Sequence, residues 1–319
     1  MKVTRLFAAA LALLAFTQAV EAADKHVAIT QIVEHPALDA TRKGVRDTLA
    51  KAGYEVGKNL KWTYENAQGN GTTAAQIAKK FAGEKPDVIV AIATPSAQTV
   101  VAANKSTPVV FTAVTDPIGA KLVSNWEKPG ANVTGISDMS PIPAHMKLVK
   151  EVVPNAKRLG VISNPGEANS VTLVKAIEQA APKEGMSVVL AAATKSGEVL
   201  GAARSLVGKV DAIYIPTDNT VVSAFEAVIK VGVDAQIPVI PGDTDSVARG
   251  GIAALSFNYY DVGVETGEMV VKVLEGAKPG DLSVKLVERL ELHVNPGSAE
   301  KMGVKLNDGL VKRALKVVK

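Results

Sequence analysis

The strongest constraint on the fold is a pattern of strand, polar turn and helix that occurs in the segment 85–117 and again in 210–245. In the first segment, a run rich in Val and Ile leads into TPS (94–96), and the next apolar run leads into TDP (115–117). Short apolar runs of this kind are typical of buried parallel strands. The repeat predicts an α/β protein of two similar halves, with polar turns at the carboxyl ends of the strands.

These turns are suited to bind a ligand with two opposite charges. We expect Thr94 to cap the following helix and Pro95 to be its first residue. A helix start carries unpaired N–H groups and a partial positive charge, so this turn can bind a carboxylate. Acidic residues at 217–220 and 242–245 can bind an ammonium group. Each turn alone is also explained by helix capping, most simply at Asp116, so the prediction depends on their joint position at one sheet edge.

Composition and motifs exclude several classes of protein. The chain has 319 residues, 36 basic and 32 acidic, and no cluster of basic and aromatic residues that would indicate nucleic-acid binding. It contains no cysteine, so disulfides, thiolate catalysis and cysteine metal sites are excluded. The four histidines have no metal-ligand spacing, and no GxSxG or GxGxxG motif is present. We therefore predict neither an enzyme nor a cofactor.

The N-terminus has the features of a secretory signal peptide. Lys2 and Arg5 precede an apolar run at 6–16, and small residues at 20 and 22 predict cleavage after Ala22. The apolar run is too short to span a bilayer, and no cysteine follows it to carry a lipid anchor. These features predict export to a Gram-negative periplasm without a lipid anchor.

Seven stretches of the sequence resemble the periplasmic substrate-binding proteins of ABC transporters, type I fold, in the subfamily that includes tryptophan- and phenylalanine-binding proteins. They occur in the family's order and cover nearly all of the chain after residue 22. The stretches are EHPALDATRKG (34–44), ATPSAQ (93–98), VTDPIGAKLV (114–123), NVTGISDMSPI (132–142), SNPGEANSV (163–171), DAIYIPTDNTV (211–221) and FNYYDVGVETG (257–267).

The resemblance implies two Rossmann-like lobes with mostly parallel sheets, joined by a three-crossover hinge, with the ligand in the cleft between them. We assign residues 23–140 and about 258–281 to the first lobe. Residues 141–257 and 282–319 are assigned to the second lobe, since the strand–helix pattern restarts at Arg158.

The resemblance also implies a set of residues that line the cleft: Ser96, Thr115, Glu167, Asn169, Ser170, Asp218, Asn219 and Thr220. From the turns themselves and the helix that follows TPS we add His35, Thr94, Ala97, Asp116 and Asp245. The segment 241–251 departs from the glutamate-rich turn of the family, which is expected to move the point that binds the amine. With only 4% aromatic residues, an aromatic ligand is expected to lie against Tyr214, Tyr259, Tyr260 or aliphatic residues.

Together, these observations predict a receptor that captures a small amphipathic carboxylate, an aromatic or branched amino acid, by closure of its lobes. It is expected to be a monomer that delivers the ligand to an ABC permease in the inner membrane. Three alternatives stay open: a sensor for a membrane signalling partner, a binder of another solute such as a sugar, and an enzyme on the same fold. The scarcity of aromatic residues argues against a sugar, and the lack of a catalytic constellation argues against an enzyme.

Overall fold

The computed structural model describes residues 24–318, so the predicted signal peptide at 1–22 lies outside the described residues. Strands and helices alternate through the first part of the chain, as the sequence pattern predicts. They are β1 (Lys25–Gln31), α1 (Pro36–Lys51), β2 (Leu60–Asn66), α2 (Gly71–Glu84), β3 (Val88–Ile92), α3 (Thr94–Ala103), β4 (Val109–Val114) and β5 (Val133–Ser137).

The alternation continues through the rest of the chain. The elements are α4 (Ile142–Val152), β6 (Arg158–Ser163), α5 (Ala168–Ala180), β7 (Ser187–Ala192), α6 (Val199–Ser205), β8 (Ala212–Ile215), α7 (Asn219–Ser223), α8 (Phe225–Asp234), β9 (Val239–Pro241), α9 (Asp245–Ala248), β10 (Ala253–Ser256), α10 (Tyr259–Leu274), β11 (Lys285–Leu286), β12 (Glu291–Val294), α11 (Pro296–Lys301), α12 (Asp308–Arg313) and β13 (Lys316–Val317).

Two parallel sheets form the centres of two lobes. The first sheet has the strand order β11-β5-β4-β3-β1-β2, and the second has the order β7-β6-β8-β9. All neighbouring strands within these two sheets are parallel. A smaller sheet, β10-β12-β13, contains the antiparallel pair β10–β12. The predicted mixture of mostly parallel sheets covered by helices is therefore confirmed.

Each lobe has its own hydrophobic core. The first core contains side chains from 27–136 and 257–287, and the second contains side chains from 142–253 and 292–310. The chain therefore crosses between the cores three times, near residues 138–141, 256–258 and 288–291. Within residues 24–318, no helix combines the length and the apolar character needed to cross a bilayer.

The predicted start of the second lobe's last segment at residue 282 is wrong. Val284 and Val287 are buried in the first core, and β11 pairs with β5 at the edge of the first sheet. The chain therefore leaves the first lobe only after residue 287. The reason is a parallel pairing between distant segments, which a two-residue strand does not reveal in its own sequence.

The predicted cap at Thr94 is also wrong by one residue. Helix α3 begins at Thr94, and its N-cap is Ala93, with φ 73° and ψ 155°. The N–H of Ala93 still donates to the carbonyl oxygen of Thr112, at 2.9 Å. Because Ala93 remains bonded to the neighbouring strand, the chain turns at Ala93 itself and Thr94 is already helical.

Candidate functional site

An enclosed cavity lies between the two lobes, with an empty volume of about 340 Å³. A cleft between two lobes is a favoured place for a small-molecule ligand. The residues that line it come from both lobes and from the crossovers: His35, Ala37, Leu38, Ala113, Thr115, Asp138, Asn169, Thr217, Asn219, Val222, Asp243 and Tyr259.

The topology of the two sheets places the cavity. In each sheet the strand order reverses beside the first strand, β1 or β6, and neighbouring loops separate there to leave a crevice. His35 follows β1 and Thr115 follows β4 in the first lobe, whereas Asn169 follows β6 and Thr217 follows β8 in the second. The carboxyl edges of the two sheets thus face each other across the cleft.

Backbone strain occurs at the first lobe's edge of this cleft. Ala93 has a φ of 73° and Ala113 a φ of 52°, values that favour glycine. Ala113 lines the cavity, and the pairing of β4 with β5 is irregular between Phe111 and Val114. Bulges and strained residues concentrate at functional sites, where they redirect the chain. Here they turn the ends of β3 and β4 into the cleft.

The cavity wall is acidic. Of the described residues that line it, Asp138 and Asp243 are carboxylates and none is Lys or Arg. Burial raises the pKa of Asp138 to about 6, against a hydrogen bond from the Tyr259 hydroxyl that lowers it. Burial also raises the pKa of Asp243, whose two oxygens accept bonds from the N–H and hydroxyl of Ser246, each at 2.8 Å. Such a wall favours a cationic group on the ligand.

His35 contributes a neutral imidazole to the wall. It is buried at the start of α1, and burial lowers its pKa to about 3, with the positive charge of Arg249 acting in the same direction. At neutral pH this ring therefore carries no charge and offers one acceptor and one donor nitrogen.

Four polar atoms of the cavity wall are buried without a hydrogen-bond partner within the described part of the chain: His35 Nδ1, Asp138 Oδ1, Asn169 Oδ1 and Thr217 Oγ1. Buried polar groups are almost always paired, because a lost hydrogen bond to water costs about 1–3 kcal/mol each. Their concentration in one cavity indicates a polar ligand that both accepts and donates hydrogen bonds.

Several predicted site residues instead bond to one another inside the second lobe. The Glu167 carboxylate accepts from the Asn219 amide at 2.6 Å and from the Thr220 hydroxyl at 2.7 Å. The Asp218 carboxylate accepts from the Ser170 hydroxyl at 2.6 Å and from the N–H of Val221 at 2.8 Å. Of these five predicted residues, Asn219 alone also lines the cavity. The network fixes the start of α7, which carries that residue.

The other predicted residues have different surroundings. Thr94, Ser96 and Ala97 are buried at the start of α3, and the hydroxyls of Thr94 and Ser96 have no partner within residues 24–318. Asp116 accepts a hydrogen bond from the N–H of Gly119 at 2.9 Å and acts as a turn cap. Asp245 is half-buried in α9, where burial raises its pKa to about 6. None of these five residues lines the cavity, and their contact with a ligand stays a prediction.

Asp138 and Val222 line the cavity but were not predicted from the sequence, whereas Thr217 and Asp243 lie in the two turns predicted to bind an ammonium group without being singled out there. Asp138 lies in the first crossover, directly after β5. Thr217 and Asp243 lie at the carboxyl ends of strands, where polar side chains are expected to meet at one sheet edge, as Asp218 and Asp245 beside them are. Tyr259 was named only as a surface against which an aromatic ligand could lie.

The two lobes, the crossovers and the enclosed polar cavity define a ligand-binding protein of the type I periplasmic fold. The family model described as "ABC transporter substrate binding protein" matches residues 26–318, and the chain belongs to this family. Members of the family are binding proteins that take up small molecules for delivery to ABC permeases, and they are typically exported.

Three relatives carry more specific descriptions. A "Tyrosine-binding protein" of Clostridioides difficile is 42% identical over 271 residues, 85% of this chain and 79% of the relative. A structure from Streptococcus pneumonia, described as an ABC domain in complex with L-Trp, has a TM-score of 0.89 at 36% identity, covering 93% of this chain and 100% of the other. The ligand-free, open structure of a substrate-binding protein with adhesive properties from Clostridium difficile has a TM-score of 0.69 at 41% identity, covering 92% and 99%.

Proposed function

We propose that this protein is a periplasmic receptor that captures a free aromatic amino acid between its lobes and presents it to an ABC permease. The observation that supports this most directly is the set of unpartnered polar atoms around an enclosed, acidic cavity. A zwitterion with an apolar side chain matches this wall. The charged and apolar N-terminal segment supports export to the periplasm.

The α-ammonium group is assigned to Asp138. This carboxylate is buried, lines the cavity and has an oxygen, Oδ1, without a partner among the described residues. Asn169 Oδ1 offers a second acceptor from the other lobe. An ammonium group that bonds to both lobes is satisfied only when the cleft is closed, so binding favours closure.

The carboxylate is assigned to the start of α3. The hydroxyls of Thr94 and Ser96 are buried there without partners in the described chain, and the helix start adds a partial positive charge. Thr94 and Ser96 do not line the cavity themselves, but they follow β3, whose neighbour β4 leads to Thr115 on the cavity wall. The assignment therefore requires the ligand carboxylate to extend from the cavity past the end of β4 to the start of α3.

The ligand side chain is assigned to the apolar part of the wall, formed by Leu38, Ala113, Val222 and the ring of Tyr259. The relatives' descriptions name tyrosine and tryptophan, which supports an aromatic side chain. Burial of such a ring contributes about 1.5–3 kcal/mol, and charge-assisted bonds at both ends of the zwitterion can supply the rest of a micromolar affinity of about −8 kcal/mol.

Isothermal titration of the ligand-free protein tests the proposal. L-Tyrosine, L-tryptophan and L-phenylalanine are expected to bind, whereas tyramine, which lacks the carboxylate, and 3-(4-hydroxyphenyl)propionate, which lacks the amine, are expected to bind at least tenfold more weakly. Asp138→Asn is expected to weaken binding of the amino acids by about ten- to a hundredfold, because a bond to a charged group is lost.

The matched control is Asp234→Asn, on the exposed face of α8, where the carboxylate pairs with Lys230. It is expected to bind like the natural protein. Equal affinity for the amino acids and for the two truncated analogues would contradict the proposed zwitterion site.

A further inference from the structure

A hydrogen bond joins the first crossover to the start of α10. The Tyr259 hydroxyl donates to Oδ2 of Asp138 at 2.8 Å, and both side chains are buried. The two residues are 121 positions apart in the chain. The bond uses one oxygen of the carboxylate and leaves Oδ1, the oxygen without a partner in the described chain, at the cavity.

Both ends of this bond are held by the first lobe. The N–H of Asp138 donates to the carbonyl oxygen of Val114 at 3.3 Å. The carbonyl oxygen of Tyr259 accepts from the Thr41 hydroxyl of α1 at 3.1 Å. With both backbones fixed, the hydroxyl of Tyr259 restricts the rotation of the Asp138 carboxylate, which also has the Thr115 side chain beside it.

We propose that Tyr259 is a positioning residue for ligand binding, because its hydroxyl holds the Asp138 carboxylate in the orientation that presents Oδ1 to the ammonium group of the ligand. This inference rests on the function proposed above. It assigns to the hydroxyl of Tyr259 a role separate from the contact that its ring makes with the cavity.

Two other titratable groups share the cavity with this carboxylate: His35, which directly precedes α1, and Asp243, which follows β9. Asp245 and Arg249 lie farther away, near Asp243. His35 stays neutral above about pH 4, because burial lowers its pKa to about 3. Asp243 accepts its hydrogen bonds from Ser246 and none from Tyr259 within residues 24–318, so a substitution at residue 259 removes no hydrogen bond from it. A difference in pH profile between Tyr259→Phe and the natural protein therefore reports on Asp138.

The test is titration with L-tyrosine and with L-tryptophan between pH 4.5 and 8. Affinity of the natural protein is expected to fall below about pH 6, where Asp138 becomes protonated. Tyr259→Phe is expected to bind about tenfold more weakly at pH 7. Its loss of affinity is also expected to begin at a higher pH, because the hydroxyl stabilises the ionised carboxylate and its removal raises the pKa of Asp138.

Tyr260→Phe is the matched control, since the Tyr260 hydroxyl donates to Asp47 of α1 at 2.9 Å and Tyr260 does not line the cavity, in contrast to the expectation that an aromatic ligand lies against it. It is expected to leave both affinity and pH profile unchanged. A Tyr259→Phe protein that binds like the natural one, or more weakly by the same factor at every pH, would overturn the positioning role. If Asp138→Asn loses binding in that case, the proposed function stands; if Asp138→Asn binds normally, both fail.

Discussion

At the scale of single residues, Asp218 shows how a polar side chain at a strand end can serve the fold. Its carboxylate is fully buried and accepts from the N–H of Asn164 at 2.5 Å, in addition to Ser170 and Val221. Burial, together with the charge of Glu167, raises its pKa to about 7. Three of its roughly four acceptor positions are thus used within the second lobe, at the N-cap of α7.

We therefore expect Asp218→Ala to lower the free energy of unfolding in the absence of ligand by about 1–3 kcal/mol, because three donors lose their acceptor. Denaturant unfolding followed by circular dichroism measures the change. Asp234→Ala, which removes an exposed ion pair with Lys230, is expected to change it by less than about 0.5 kcal/mol. Unaltered unfolding combined with lost ligand binding would instead place Asp218 in contact with the ligand.

The sequence predicts the position of the site better than the orientation of its side chains. His35, Thr115, Asn169 and Asn219 line the cavity because strand ends of parallel sheets meet at one edge. The pattern does not show whether a polar side chain at a strand end faces the cavity or its own helix. Asp218 and Asn219 both fit the pattern, but Asp218 caps α7 and Asn219 lines the cavity. Asp138 and Tyr259 meet through the path of the crossovers, which no local pattern encodes.

At the scale of secondary structure, α1 and α10 cross in very close contact. A Cβ atom built on Gly44 would lie 2.3 Å from the carbonyl oxygen of Tyr260. One built on Gly263 would lie 2.1 Å from the carbonyl oxygen of Thr41. The two helices therefore touch backbone to backbone, and glycine is the residue that permits this approach.

Gly44→Ala is expected to lower the free energy of unfolding by about 1–3 kcal/mol, since the added methyl group meets backbone atoms that cannot move alone. The matched control is Gly83→Ala near the end of α2, where a Cβ atom has nothing within 4 Å. There the change is expected to raise stability by about 0.5 kcal/mol through helix propensity. Thermal and denaturant unfolding of both variants test the opposite signs, and a Gly44→Ala protein of natural stability would contradict the close contact.

The long, periodic elements are well predicted by sequence, and the short ones are not. The Pro36 start of α1 and the Val-rich strands follow from apolar periodicity and proline chemistry. The turn at Ala93 and the two-residue strand β11 depend on tertiary pairing. A strained alanine and a two-residue strand have no sequence pattern of their own, so the cap and the lobe boundary were misplaced.

At the scale of the whole molecule, the two lobes contact each other across the cleft. Helix α1 contacts α9, and α3 contacts α5, across the cleft. The fold superposes with a TM-score of 0.89 on the structure described as an L-Trp complex, and with 0.69 on the one described as ligand-free and open, although the open protein has the higher identity.

Addition of L-tyrosine or L-tryptophan to the ligand-free protein is expected to decrease its radius of gyration, because ligand contacts to both lobes favour closure. At a ligand concentration a hundred times the Kd, stability is expected to rise by about 2.7 kcal/mol. Small-angle scattering and thermal unfolding measure the two effects. Asp138→Asn at the same ligand concentration is the control, and an unchanged radius in the saturated natural protein would exclude closure on binding.

The path of α10 also determines the order in which the molecule can be completed during synthesis. This helix covers β3, β4 and β5 of the first sheet and bonds to α1 through Thr41 and Tyr259, residues 218 positions apart. A growing chain that has emerged through β5 therefore still exposes an apolar sheet face. The first lobe is complete only after α4–β10 of the second lobe has been made, and the second lobe in turn needs the segment after residue 291. Neither lobe can therefore finish folding before part of the other has been synthesised.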